Sequence, residues 1–237
     1  KHVEVELHTL LAEPFDDKET NRLMEELQKE VAVQAGKKKL MGIEFPVLPD
    51  GIHAYYLLLH MLQHFLRAGF GLKLLCDWVV FWRHGVTEKE LAQYKKLTAR
   101  SGLTGFSDMV TSVCVQYLGL EEEAAEPLIV NMVSGEDMWG FMEEILQSLE
   151  FGTMESEQMV ALRGNGWRDL FREFHHQMHL NFPETGRYPV LWPALWIRTG
   201  WRFARNNRVV RRTTIKKVIQ NAKKRGKISN KLHLFER

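Results

Sequence analysis

The stretch DGIHAYYLLLHMLQHFLR, residues 50–67, decides the fold. Asp50 is an N-cap for a helix over about 51–67, and the helix is apolar except for one stripe. His53, Tyr56, His60, His64 and Arg67 fall along that stripe, three or four residues apart. Working outward, the helical pattern continues almost to the end of the chain. Helices are predicted over 71–84, 104–118, 121–132, 135–149 and 156–180, with a basic helix over 207–225. One more follows Thr87, where Thr87-Glu88-Lys89-Glu90 reads as a capping box. Upstream the pattern differs. Residues 2–11, HVEVELHTLL, alternate apolar and polar as a strand does. Asp16, Asp17 and Thr20 can cap a helix carrying Leu23, Met24, Leu27 and Val31 that ends near Gly36. Residues 39–48 suit a short strand or hairpin arm, limited by Pro46 and Pro49. The predicted class is α+β, predominantly α: an α/β part over 1–49, then a helical domain over 50–237 with a basic tail.

At 237 residues, with 45% hydrophobic and 26% charged residues, the chain can bury a core without disulfides or a structural metal. Cys76 and Cys114 both lie among apolar neighbours and read as reduced core thiols. No run of eighteen apolar residues occurs, so neither a transmembrane helix nor a secretory signal is predicted, and a cytoplasmic protein is expected. The formal charge of +2 hides an asymmetry. Residues 198–237 hold fourteen Lys and Arg against one acid, Glu236, whereas the first 197 residues hold eighteen against twenty-nine. Such a tail is suited to an anionic partner: RNA, a nucleotide phosphate, a membrane surface or the acidic remainder of the chain.

Three constellations bear on chemistry. Glu4, Glu6 and His8 share one strand face, which is either a divalent-metal or general-base site or a solvated outer face. No Asp-x-Asp pair follows later in the chain to complete a magnesium site. His60 and His64 have zinc-compatible spacing, but Met61-Leu62-Gln63 lies between them and no third ligand has convincing spacing. Histidines hydrogen-bonding in a polar cleft, or satisfied in the core, are the other readings. In Ala68-Gly-Phe-Gly-Leu-Lys-Leu-Leu-Cys-Asp-Trp78, Gly69 and Gly71 permit a tight turn, and Lys73 and Asp77 stand one helical turn apart. These two form either an ion pair or a cation for phosphate beside a carboxylate for a hydroxyl or amine. Further on, Phe174-His175-His176-Gln177-Met178-His179 suggests an exposed or cleft-lining helix end. Trp192, Trp196 and Trp201 interleave with Arg198, Arg202 and Arg205, and either pack a terminal helix or meet bases or lipid.

The VEVELH strand, the H-x-x-x-H helix and GFGLKLLCDW together resemble the family of uncharacterised bacterial nucleotidyltransferases, polymerase-β-like enzymes with a trailing helical domain. Arg187-Tyr-Pro-Val-Leu-Trp-Pro-Ala-Leu-Trp-Ile-Arg198 is similar to that family's C-terminal motif. Lys73 stands where the family usually has Arg, so a bidentate fork becomes a point charge. The resemblance implies metal-assisted transfer of a nucleoside monophosphate from a nucleoside triphosphate to an acceptor hydroxyl. It makes Glu6 the surviving catalytic, metal-binding carboxylate and Mg²⁺ the expected cofactor. It makes His60, His64, Lys73 and Asp77 the helical wall contacting nucleotide phosphate or acceptor. The family's paired acids would precede Lys1, so the segment is expected to be inactive alone. A chosen segment boundary, an N-terminus left out of the numbering and a natural short variant are all open. The alternative from another class is a non-catalytic helical binding module whose basic C-terminus engages RNA or another anionic partner.

Overall fold

The computed structural model describes residues 10–34, 36–67, 71–150, 167–209 and 231–236. They form a predominantly helical α+β structure, as the sequence predicts. The predicted strand over 2–11 lies mostly outside the described residues, as does nearly all of the predicted basic helix over 207–225. The chain divides into two compact units, one of residues 1–63, 73–133 and 234–237, the other of 64–72 and 134–233.

In the first unit, α1 (Lys18–Gln34) starts where the Asp17 carboxylate accepts the Thr20 amide at 2.7 Å. Asn21 clasps the entering chain, accepting from the Phe15 amide at 2.8 Å and donating to the Phe15 carbonyl at 2.7 Å. Leu23, Met24 and Leu27 are buried, which is the periodicity read from the sequence. The predicted strand or hairpin arm is a two-stranded antiparallel hairpin, β1 (Gly36–Leu40) and β2 (Ile43–Val47). Its turn residues Met41 and Gly42 both have positive φ, as a type I′ turn demands.

The helices α2 (Asp50–Arg67), α3 (Leu72–Arg83), α4 (Glu88–Ser101) and α5 (Thr104–Leu118) follow the predicted boundaries within a residue or two. The capping box is present: the Glu90 amide donates to Thr87 Oγ1 at 3.3 Å and the Thr87 amide to Glu90 Oε2 at 2.8 Å. Gly102 ends α4 at φ +63°, and a Cβ there would lie 2.6 Å from the backbone of Phe235 and Glu236. Only glycine allows that approach, which is sealed by the Phe235 amide donating to the Gly102 carbonyl at 2.8 Å.

Among the described residues one helix is shorter than predicted, and the first part of the helix predicted over 156–180 lies outside them. Instead of 121–132, α6 covers only Glu122–Ala125. Pro127 brings no amide to extend it, and the buried Asp108 carboxylate captures the next donors. Val130 N, Asn131 N and Asn131 Nδ2 donate to it at 2.9, 3.0 and 3.0 Å. A carboxylate with three N–H donors is well compensated for its burial. The backbone is thereby held in a non-helical loop.

The second unit contains α7 (Gly135–Glu150), α8 (Trp167–Asn181) and α9 (Trp192–Val209). Two short 3₁₀ turns, Thr185–Arg187 and Pro189–Leu191, lie between α8 and α9. Ser134 caps α7, accepting the Asp137 amide at 3.1 Å while donating to the Asp137 carboxylate at 2.7 Å. Lys231 pairs with the same carboxylate and, with Ser134, holds the Asp137 pKa below the ordinary aspartate value.

Candidate functional site

The α3 sequence separates into two faces. Leu75, Trp78, Val79 and Trp82 are buried, whereas Lys73, Cys76, Asp77 and Val80 are exposed on the opposite side. At 100° per residue the exposed set falls within an arc of about 100°. The most specific motif of the chain thus uses its apolar residues for the core and shows its Lys, Cys and Asp to solvent. Cys76 is therefore a correction: it is exposed, and only Cys114 is a core thiol. Cys114 donates to the Leu75 carbonyl, and its burial pushes the thiol up to about 12. The sequence signal for the difference was available, since residue 76 shares the helical face of Lys73 and Asp77.

Lys73 and Asp77 stand on the same stripe, but among the described residues no ion pair joins them. Both heads remain on the exposed face. On α2 the stripe of His53, Tyr56, His60 and His64 is half-buried. The His60 ring stacks on Tyr56, with centroids 5.9 Å apart and planes at 18°, and His53 lies 6.4 Å beyond Tyr56. His53 also meets Phe81 of α3 edge-on at 5.1 Å. Burial holds the His53 pKa below the usual histidine value; Asp50 opposes this and Lys38 adds to it. Phe81, which ties the α2 stripe to α3, was not singled out in the sequence; its only signal is that it lies one turn beyond Asp77. His64 is half-buried on α2, and the Arg67 side chain and Ala68–Phe70 lie outside the described residues.

Glu6 also lies outside the described residues. Among the described residues no group of three or more His, Cys, Asp or Glu could hold a metal ion. They do not by themselves fit magnesium, and no step through a metal is derived from them. A separate groove of about 610 Å³ is lined by Trp82, Arg83, Leu91, Glu121 and neighbours. Its one cation among the described residues is engaged: Arg83 donates to Glu121 at 2.9 Å and to the Gly119 carbonyl at 2.6 Å. That pairing raises the Arg83 pKa and lowers that of Glu121, and leaves the groove without an uncommitted positive charge.

The histidine-dense segment is half-buried near the end of α8. His175 and His179 are packed among aromatic rings, with His175 4.7 Å from Trp192 and 5.8 Å from Trp196. Trp196 Nε1 donates to His175 Nδ1 at 3.2 Å, and the two histidines meet Nε2 to Nε2 at 3.2 Å. Since the indole can only donate, neutral His175 carries its proton on Nε2. That is the wrong tautomer for Nε2 to bind a metal, which normally requires the Nδ1–H to donate. Gly186 makes room for the pair, since a Cβ there would lie 2.9 Å from His179 Nδ1. The Gly186 carbonyl accepts Trp192 Nε1 at 2.8 Å.

The fold and the exposed motif define a class: a helical module that displays a lysine and a carboxylate on one stripe of α3 and carries half-buried imidazoles on a stripe of α2. Residues 1–119, just over half of the chain, match the model of a family described as uncharacterised nucleotidyltransferase. The chain belongs to that family. No curated protein and no solved structure matches it. Among the described residues no helix is long and apolar enough to cross a membrane.

Proposed function

We propose that the protein acts in transfer of a nucleoside monophosphate from a nucleoside triphosphate to an acceptor hydroxyl. In this reading α2 and α3 line the substrate side of the catalytic cleft. Family membership over residues 1–119 carries the proposal, because that span includes Glu6, α2 and α3. The exposure of Lys73 and Asp77 supports it, since neither charge is spent on the other.

Lys73 supplies a compact positive charge to a phosphate oxygen. Asp77, one turn away, accepts a hydrogen bond from a sugar or acceptor hydroxyl and so orients it. His60 and His64 contribute imidazole hydrogen bonds along the α2 stripe. Glu6 is proposed as a catalytic carboxylate toward Mg²⁺, the ion that would polarise the reacting phosphate. Its partner ligands are not among the described residues.

Titration of the chain with a fluorescent nucleoside triphosphate, with and without Mg²⁺, tests the reading. Lys73→Ala should weaken binding by about tenfold, the equivalent of about 1.4 kcal/mol. Asp77→Asn should leave phosphate affinity nearly intact and weaken discrimination of ribose from deoxyribose. Both side chains are exposed, so neither change disturbs the core. Nucleotide affinity identical in the parent and both variants would sink the proposal.

A further inference from the structure

The clearest surface left unused by that reading is the outer face of α9. At 100° per residue, Ala194, Ile197, Arg198, Trp201 and Arg205 fall within an arc of about 100°. All five are exposed, whereas Leu195 and Thr199 on the opposite face are buried. Ile197 is 75% exposed and Trp201 61%. The preceding 3₁₀ turns extend the same character, with Tyr188 64% and Val190 90% exposed. The Arg205 guanidinium lies over the Trp201 ring at 5.3 Å, and that of Arg198 over Phe182 at 5.3 Å. The two cations are thus held beside the apolar residues. No Asp or Glu occurs from Thr185 through Phe235.

We infer that the outer face of α9, with Tyr188 and Val190, docks on the surface of an anionic lipid bilayer. An amphipathic helix binds in the plane of an interface by burying an apolar face while its basic residues meet anionic headgroups. This helix has the apolar residues, the arginines and the two ring types, Trp and Tyr, that favour the headgroup level. Charge complementarity selects an anionic occupant. Val190 and Ile197 then favour lipid over single-stranded RNA, since aliphatic side chains offer bases no ring to stack on. The inward face of α9 is already engaged with α8, through Trp196 on His175, so docking requires no rearrangement of the unit.

The test is co-sedimentation of the chain with vesicles of phosphatidylcholine alone and of phosphatidylcholine with phosphatidylglycerol. Binding to the anionic vesicles should exceed that to the neutral ones by about tenfold or more, since each basic residue near the surface adds to affinity. Ile197→Asp should reduce anionic-vesicle binding by about tenfold or more. Val190→Asp, outside the helix proper, should act in the same direction with the circular dichroism of the parent. A blue shift of tryptophan emission on vesicle addition should shrink in Trp201→Phe. Absence of binding to anionic vesicles would overturn the inference. So would vesicle binding unchanged in both aspartate variants, which would assign it to the basic tail. A dimer in sedimentation velocity that Ile197→Asp dissociates, without vesicle binding, would assign the face to a second copy. Binding to single-stranded RNA that both aspartate variants abolish, without vesicle binding, would assign it to nucleic acid.

Discussion

Each unit contains an aromatic cluster, and the two are built for different conditions. In the first unit Trp78, Trp82 and Tyr94 are almost fully buried, with ring centroids 5.2–6.0 Å apart. The Trp78 indole donates to Thr111 Oγ1 at 3.3 Å, and the Tyr94 hydroxyl is within 2.6 Å of Ser107 Oγ. Burial pushes the Tyr94 hydroxyl far above its ordinary pKa, so this cluster holds no group that changes charge near neutrality. In the second unit Trp192 and Trp196 enclose His175 and His179, which are half-buried. Burial, and then the neighbouring His179, hold the His175 pKa below the ordinary histidine value. Aromatic packing alone makes a core insensitive to pH. Adding an imidazole whose Nδ1 must accept a hydrogen bond makes the packing conditional on the neutral form.

The largest expected effect is in the buried cluster of the first unit. Trp78→Ala removes a fully buried indole and should destabilise the first unit by about 3–5 kcal/mol. Urea denaturation followed by far-UV circular dichroism should show this loss equally at pH 8 and pH 5.5. A loss that depends on pH would break the contrast between the clusters.

His175→Phe sharpens it. The folded pKa of His175 is lowered, so the unfolded chain binds more protons as pH falls. Its contribution is therefore complete above the unfolded value of about 6.5 and is lost as pH falls toward the lower folded value. At pH 8 the variant should lose about 1 kcal/mol, because the Trp196 indole loses its acceptor. On acidification it should lose less further stability than the parent, with the lowered His53 of the first unit left as a remaining source of sensitivity. An identical pH dependence in parent and variant would show that His175 is not the acid-sensitive group. Both measurements use denaturation midpoints at several pH values.

The smallest expected effect lies away from both clusters. Thr87→Ala deletes the capping side chain of α4 and should cost about 0.5–1 kcal/mol at either pH. Glu90, whose pKa Thr87 holds down, should titrate closer to an ordinary glutamate in that variant, as carboxyl NMR shifts would show. A cost that grows sharply on acidification would indicate coupling to the histidine cluster and erase the distinction between the units.

Much of the helical framework was legible because its signals are local. The Thr87–Glu90 capping box and the apolar periodicity of α2, α3 and α5 act within one or two turns. The same 100° periodicity separates Leu75 and Trp78 from Lys73 and Asp77 on α3, and places Cys76 outside. Residues 121–132 were misread as one helix because the competing acceptor, Asp108, is more than twenty residues away along the chain. The His60–His64 and His175–His179 pairs have the same spacing, and that spacing says only that each pair shares a helix face.

The sequence by itself determined most of the helices of the first unit, the stripe of α3 that carries Lys73 and Asp77, and the family to which that motif belongs. Propensity, capping and periodicity are properties of neighbours in the chain, so they survive without a partner element. Only the tertiary structure decided that His53 meets Phe81 of α3 while His175 accepts from Trp196 of α9. The tautomer of His175 is set by the Trp196 indole that packing brings from another helix, a partner that spacing along α8 does not reveal.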